Sequence, residues 1–416
     1  MNMVPRSRRL ARLAGCTILT LGLAGLTAAA AAPAQARVTV TSAVSRVVAS
    51  WGDNTAGQLG DGTTVLLRTL YRDIAAGSDV VQVAAGRTHN LALRSDGTVS
   101  AWGINEHGEL GDGTTTDRFT PVQARGLTGV MTQVAAGEEF SLALRSDGTV
   151  WAWGRNDRGQ LGRGTISSQE LVPARVAVLN RVTKISAGRD FALALRSDGI
   201  VFAWGANRLG QLGNGSPSYG PVSVPAKIAG LSQVTGISAG WDSSLATETS
   251  GISAVTSVWA WGNNDGGQLG DGTLTGHFTP EPVTGLPVFI AGISVGGQFA
   301  EVLGSDGSVW GWGTNDLGQL NIAPPSAAVT RPVSVIAAGS RITQISAGAG
   351  HMLALRSDGT VLAWGLGVRG QLGNGIQSQV SGPVQVTNMG GATQVAAGRL
   401  SSYAVHTVLV LTGQSS

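Results

Sequence analysis

Two stretches, Gly236–Gly240 (GISAG) and Gly292–Gly296 (GISVG), satisfy the G-x-S-x-G pattern of a serine-hydrolase elbow. That chemistry needs the serine on a strand-to-helix turn, with a histidine and an acid converging on it. Ser238 and Ser294 instead stand in a short apolar run, in a slot held elsewhere by Ser186, Ser346, Ala84, Ala135 and Ala396. A slot shared by serine and alanine reads as packing, not nucleophilic catalysis. Gly365–Gly370 (GLGVRG) matches G-x-G-x-x-G, but no helix follows to receive a phosphate. His89, His107, His277, His351 and His406 lack metal-ligand spacing. His89 and His351 also share a position with Phe140, Phe191 and Phe299, which makes their rings structural. The Asp, Asn and Gly residues of WGDNTAGQLGDG lack EF-hand spacing and suit local Asx turns. No catalytic residue, cofactor or metal is expected, and the chain reads as a non-enzyme.

These partial matches arise because the chain repeats itself. Trp-Gly recurs at Trp51, Trp102, Trp153, Trp204, Trp261, Trp312 and Trp364, with spacings of 51, 51, 51, 57, 51 and 52 residues. A small-residue run ends at Gly86, Gly137, Gly188, Gly240, Gly296, Gly348 and Gly398. Between the markers each unit reads as four strands: a short small-residue strand, an alternating LALRSDG strand stopping at a hairpin turn, a WAWG strand, and a proline-bearing outer strand. Seven such units predict an all-β, seven-bladed β-propeller with four antiparallel strands per blade. The phase at the ends predicts one blade shared between N- and C-terminal strands, two from residues near 393–411 and two from residues near 46–76.

Residues 1–36 read as a cleaved signal peptide, with a basic head (Arg6, Arg8, Arg9, Arg12), an apolar middle and an A-x-A site ending at Ala36. Paired arginines also fit twin-arginine export. Residues 37–45 are a short lead, 46–411 the propeller and 412–416 a C-terminal tail. Cleavage would remove Cys16, the one cysteine, and leave 24 Lys and Arg against 25 Asp and Glu. No disulfide, no basic run for nucleic acid and no membrane span are then expected in the mature chain. A secreted monomer is the expectation.

The repeated "AG" followed by H or F, then LAL, SDGTVWAWG and N..GQLG.G, closely resembles the regulator of chromosome condensation repeat, over essentially all of residues 46–410. The resemblance implies a seven-bladed propeller. It does not imply one activity, because members include a chromatin-bound guanine-nucleotide exchange factor and plant ultraviolet receptors, and shorter-repeat secreted propellers of similar pattern inhibit β-lactamase. The chromatin factor's basic tail has no counterpart here. Of the plant receptors' tryptophan-arginine-histidine cluster, only Trp241 stands at a comparable place.

In an antiparallel blade, the loop between strands one and two and the loop between three and four emerge on the same face, and the SDG hairpin on the other. The hairpins hardly vary, apart from five extra residues near Glu248 to Ser257, whereas the first loops differ in every blade, contributing Arg87, Glu138, Glu139, Arg189, Asp190, Trp241, Asp242, Gln298 and Arg399. A ring of unlike tips suits a protein partner. Trp241 is the one tryptophan of 11 outside the two repeated strand positions, so it is either the binding anchor or a lid over a neighbouring blade. The alternatives are an inhibitor of a secreted or periplasmic enzyme, guanine-nucleotide exchange, and a carbohydrate-binding or hydrolytic propeller.

Overall fold

Alternating residues around Asp-Gly become a tight hairpin. Phe191–Arg196 and Val201–Asn207 pair antiparallel, with Leu193 opposite Ala203. The turn closes through Gly199 at φ 77°, a conformation that suits glycine. An innermost strand, Val182–Ala187, and an outer strand, Ser218–Lys227, complete the blade. Prolines sit where the outer ladder breaks. In the preceding blade the register slips between Glu170, opposite Gly154, and Ala174, opposite Ala152, and Pro173 occupies the slip.

A computed structural model describes residues 38–216, 218–250, 255–287, 289–322 and 328–415. The expected signal segment, residues 1–36, lies outside them. Ser42–Val410 forms one unit. The other, Met1–Thr41 with Leu411–Ser416, is described only as terminal residues of strands Val38–Asp53 and Ser401–Ser415.

Seven four-stranded sheets follow one another around an axis. From innermost to outermost strand, blade 1 runs from Val80–Ala85 to Arg118–Gln123, blade 2 from Met131–Ala136 to Gln169–Arg175, and blade 3 from Val182–Ala187 to Ser218–Lys227. Blade 4 runs from Val234–Ala239 to His277–Val283, blade 5 from Ile290–Val295 to Val329–Ile336, and blade 6 from Ile342–Ala347 to Val380–Gln385. Blade 7 is the shared one: Ala392–Ala397 and Ser401–Ser415 pair onward to Val38–Asp53 and Leu67–Ile74. The two ends of the chain thus close the ring within a single sheet, as the phase of the repeat implies.

Every blade junction carries the same wedge. The Trp of each Trp-Gly is fully buried. Its indole Nε1–H donates, at 2.7–2.9 Å, to the backbone carbonyl of the Gln or Glu in the preceding blade's GQLG-type corner: Trp204 to Gln160, Trp153 to Glu109 and, across the closure, Trp51 to Gln371. Around it the apolar faces of adjacent blades interdigitate. Between blades 2 and 3, Phe140, Leu142, Leu144, Ile185 and Trp204 form one such core. Each indole buries about 150–250 Å².

Nearer the axis, two devices join the innermost strands. At the junctions after blades 1, 2, 6 and 7, a glutamine amide bonds both backbone groups of one residue in the next strand. Gln82 Nε2 donates to Val134 O and its Oε1 accepts from Val134 N, both at 3.0 Å, and Gln133, Gln344 and Gln394 repeat the pattern. After blades 3 to 6 a serine accepts the next strand's N–H: Ser186 from Ala239, Ser238 from Val295, Ser294 from Ala347 and Ser346 from Ala397. The G-x-S-x-G serines therefore fasten one blade to the next. Their hydroxyls have a definite bonding role, which the Ser/Ala interchange did not reveal. The glycine after each run is required by close approach, since a Cβ on Gly188 would lie 2.6 Å from Gly240 O of the next blade.

Blade 5 departs from the pattern. Glu301 takes the place of the leucine that faces alanine in blades 1 to 4 and 6, and it pairs with Gly311, where a Cβ would lie 3.2 Å from Glu301 Cγ and 2.9 Å from Leu320 Cδ2. The Glu301 side chain is fully buried and neither oxygen has a hydrogen-bond partner. Burial raises its carboxyl well above the usual range, so the folded protein holds it protonated. The part of the cost that comes from ionisation is absent below the ordinary carboxylate pKa and grows as pH rises toward the elevated one. Glu301→Leu is therefore expected to stabilise the fold at pH 7 by about 1–3 kcal/mol. The gain should shrink as pH falls toward the ordinary value of 4.5, read from urea midpoints at both pH values.

Candidate protein-binding face

The loop joining strands three and four leaves each blade beside the loop joining strands one and two. Backbone bonds hold the pair together: Ile104 N to Thr88 O, Arg155 N to Glu139 O, Ala206 N to Asp190 O, Asn263 N to Asp242 O and Thr314 N to Gln298 O, all at 2.8–3.0 Å. Both loops therefore share a face, and side chains within the second set its shape. Asn54 Oδ1 accepts from Leu59 N and its Nδ2 donates to Thr63 O, while Asp61 Oδ1 accepts from Thr63 N. The Asn and Asp residues are thus consumed in turns. Among the described residues, no three His, Cys, Asp or Glu side chains are placed to hold a metal.

The glycines ending the innermost strands ring the mouth of the axial channel, and the residues after them reach over it. All seven blades line a cavity of about 110 Å³ there. Backbone bonds continue the ring, with Glu138 N donating to Arg189 O, Trp241 N to Gly296 O and Gly297 N to Gly348 O. Charged side chains then link blades that lie far apart in sequence. Glu138 is within reach of three guanidinium groups, Arg87 at 3.2 Å, Arg189 at 3.8 Å and Arg399 at 4.0 Å. Arg189 also meets Asp242 at 2.8 Å and Asp190 at 3.8 Å, and Arg87 meets Glu139 at 3.4 Å. The Arg399 guanidinium lies 5.8 Å from the centre of the half-buried Trp241 ring.

Of the nine residues singled out by loop variation, Arg87, Glu138, Arg189, Trp241 and Arg399 line the mouth, and Glu139, Asp190 and Asp242 join them through these ion pairs. The ninth, Gln298, is exposed on blade 5 and contributes its backbone carbonyl to Thr314 N and no side-chain link to the cluster. Three more residues join through the second loop type: Arg155 pairs with Glu139 and with Asp157, and His107 Nε2 lies 3.7 Å from Glu139. Their signal in sequence is that they occupy the changing positions of WGINEH and WGRNDR.

Burial acts on the acids of this face. It raises the carboxyls of Glu138 and Asp190, and Asp242 to about 6, against the lowering influence of the neighbouring arginines. Half-exposed ion pairs of this kind each contribute little to folding. Their cost and geometry concern what the face presents. Buried His89 and His351 each bond a serine of the next blade: His89 Nε2 with Ser141 Oγ at 3.0 Å and His351 Nε2 with Ser402 Oγ at 2.9 Å. Burial lowers both to about 4, so they are neutral.

A closed seven-bladed ring with recurring hairpins on one side and a convergent mixed-charge cluster on the other defines a propeller scaffold. The chain belongs to the RCC1-like domain family, whose sequence profile matches residues 47–404. It is similar to the ultraviolet-B receptor UVR8 of Arabidopsis thaliana, at 34% identity over 79% of this chain and 75% of the receptor. It is similar to the mouse regulator of chromosome condensation at 28% identity, over 89% and 91% of the two chains. Among solved structures, Prp20p of Saccharomyces cerevisiae, described together with its binding to Gsp1p and histones, superposes with a TM-score of 0.76 at 25% identity, covering 87% of this chain and 91% of that one.

One corner residue offers a pH test of the face. Glu109 stands where the other corners have glutamine, and its Oε2 accepts from His107 N at 2.9 Å. Burial first, then the charges of Glu139 and Glu106, raise its carboxyl from 4.5 to about 7. The ionised form is thus disfavoured in the fold, at a cost that appears between these two values as pH rises. Glu109→Gln should gain about 2–3 kcal/mol at pH 8 and little at pH 4.5, measured by chemical unfolding.

Proposed function

We propose that this chain is an exported, non-catalytic propeller that binds a protein partner through the face carrying Arg87, Glu138, Arg189, Trp241 and Arg399. The observation that carries this reading is the contrast between faces. One presents hairpins that recur with little change apart from five extra residues near Glu248 to Ser257, and the other gathers unlike charged and aromatic tips from five successive blades over a single mouth. Conserved hairpin sequence serves the fold, whereas differing tips held by an invariant scaffold suit recognition. The relative Prp20p, whose structure was described with its binding to Gsp1p and histones, is a propeller of the same architecture with protein partners. The only G-x-S-x-G serines are engaged with the next blade, which argues against hydrolysis. The leader of residues 1–36 supports export, and the exported chain is expected to begin at Arg37 on N-terminal sequencing.

The test is affinity capture from culture medium with the chain from Arg37 onward, comparing wild type with Trp241→Ala. Truncating a tryptophan at a hot spot costs about 2 kcal/mol or more, so recovery of the partner should fall by roughly thirtyfold in affinity. Half-buried Trp241 contributes little to any blade core, and the variant's thermal midpoint should stay close to that of wild type. Equal binding by both proteins would remove this face from the account.

A further inference from the structure

The charged cluster is layered. The Arg87, Arg189 and Arg399 side chains are 41%, 39% and 40% exposed, whereas those of Glu138, Glu139, Asp190 and Asp242 are 24%, 19%, 23% and 12% exposed. The guanidinium groups therefore form the outer surface, and their counter-ions lie beneath. At the axis itself, three arginines from blades 7, 1 and 3 converge on one carboxylate, that of Glu138. Beside them the ring opens: blades 5 and 6 offer Gly297, Ala349 and Gly350 where the others carry side chains. The mouth thus combines outward guanidinium groups, a cavity of about 110 Å³ and a sector lined by glycine and alanine.

We propose that this mouth is the receptor for an acidic side chain of the protein partner, whose carboxylate seats over the axis on the guanidinium groups of Arg87, Arg189 and Arg399 while its flanking chain packs on Trp241. This inference rests on the preceding reading of the face and names the chemistry it recognises. Guanidinium forks bind carboxylates through paired, charge-assisted hydrogen bonds. Glu138 occupies that role in the free protein, competing internally for the same donors.

The experiment uses the full chain from Arg37 and three fluorescein-labelled probes: hexaglutamate, hexaglutamine and a dT12 oligonucleotide. Hexaglutamate is expected to bind and hexaglutamine not to. Combining Arg87→Gln, Arg189→Gln and Arg399→Gln should weaken hexaglutamate at least about tenfold, and Arg125→Gln, away from the mouth, should change nothing. The decisive variant is Glu138→Gln. Freeing three guanidinium groups from their internal competitor should tighten hexaglutamate binding roughly threefold to tenfold, a gain that misfolding cannot produce. Weaker or unchanged binding in Glu138→Gln, equal binding of hexaglutamine, or tighter binding of dT12 than of hexaglutamate would each overturn the proposal. So would a wild-type dimer that dissociates in the arginine variant, since a second copy would then fill the mouth. If a captured partner is lost by Trp241→Ala yet kept by the triple arginine variant, the face reading stands and the carboxylate inference fails. A partner indifferent to both variants removes the face itself.

Discussion

The structure depends on one contact made seven times, an indole N–H donated to a backbone carbonyl in the corner of the preceding blade. That single bond ties a wedge to a turn. It therefore couples the packing of two blades to the shape of the loop between strands three and four. Each link needs both neighbours, and the bond from Trp51 to Gln371 carries the series across the closing blade. Both halves of the bond are buried, and leaving it unmade would strand an indole N–H in an apolar core.

Inside the wedges, the same problem is solved in two ways. Innermost strands of adjacent blades lie too far apart in orientation to pair as a sheet, yet their edge groups face one another. A glutamine amide can span the gap with both its donor and its acceptor, and a serine hydroxyl can satisfy one N–H. Blade junctions divide between the two, with both present after blade 6. Such redundancy leaves the tips above free to vary, because none of the bonds that set the ring involves a side chain of those tips.

Much of this was legible in the chain. The Trp-Gly and Ala-Gly markers define seven units, the Asp-Gly pairs locate the hairpins, and the phase at residues 46 and 411 implies a shared blade. The serines show where such reading stops. Ser238 and Ser294 alternate with alanine, which looks like packing, and only the position of Val295 N and Ala347 N reveals the bond each makes. Likewise Glu301 and Gly311 are each odd in sequence, but their mutual accommodation is visible only once the register sets them opposite. At the mouth, loop variation singled out Arg87, Glu138, Arg189 and Arg399. Their convergence could not be read, because the pairs that join them span 51 residues or more along the chain and depend on how far each side chain crosses the axis.

The proposed division of labour gives the seven Trp junctions the ring and one variable face the partner. Amide hydrogen exchange followed by mass spectrometry, with and without a captured partner, tests it most directly. The innermost-strand amides of Ala239, Val295 and Ala347 are expected to exchange slowly in both states. New protection on binding is expected at residues 87–88, 138–139, 189–190, 241–242 and 399–400, and none in the hairpins at 95–97, 146–148, 197–199 and 357–359. Protection gained at those hairpins, with the tips unchanged, would contradict the account.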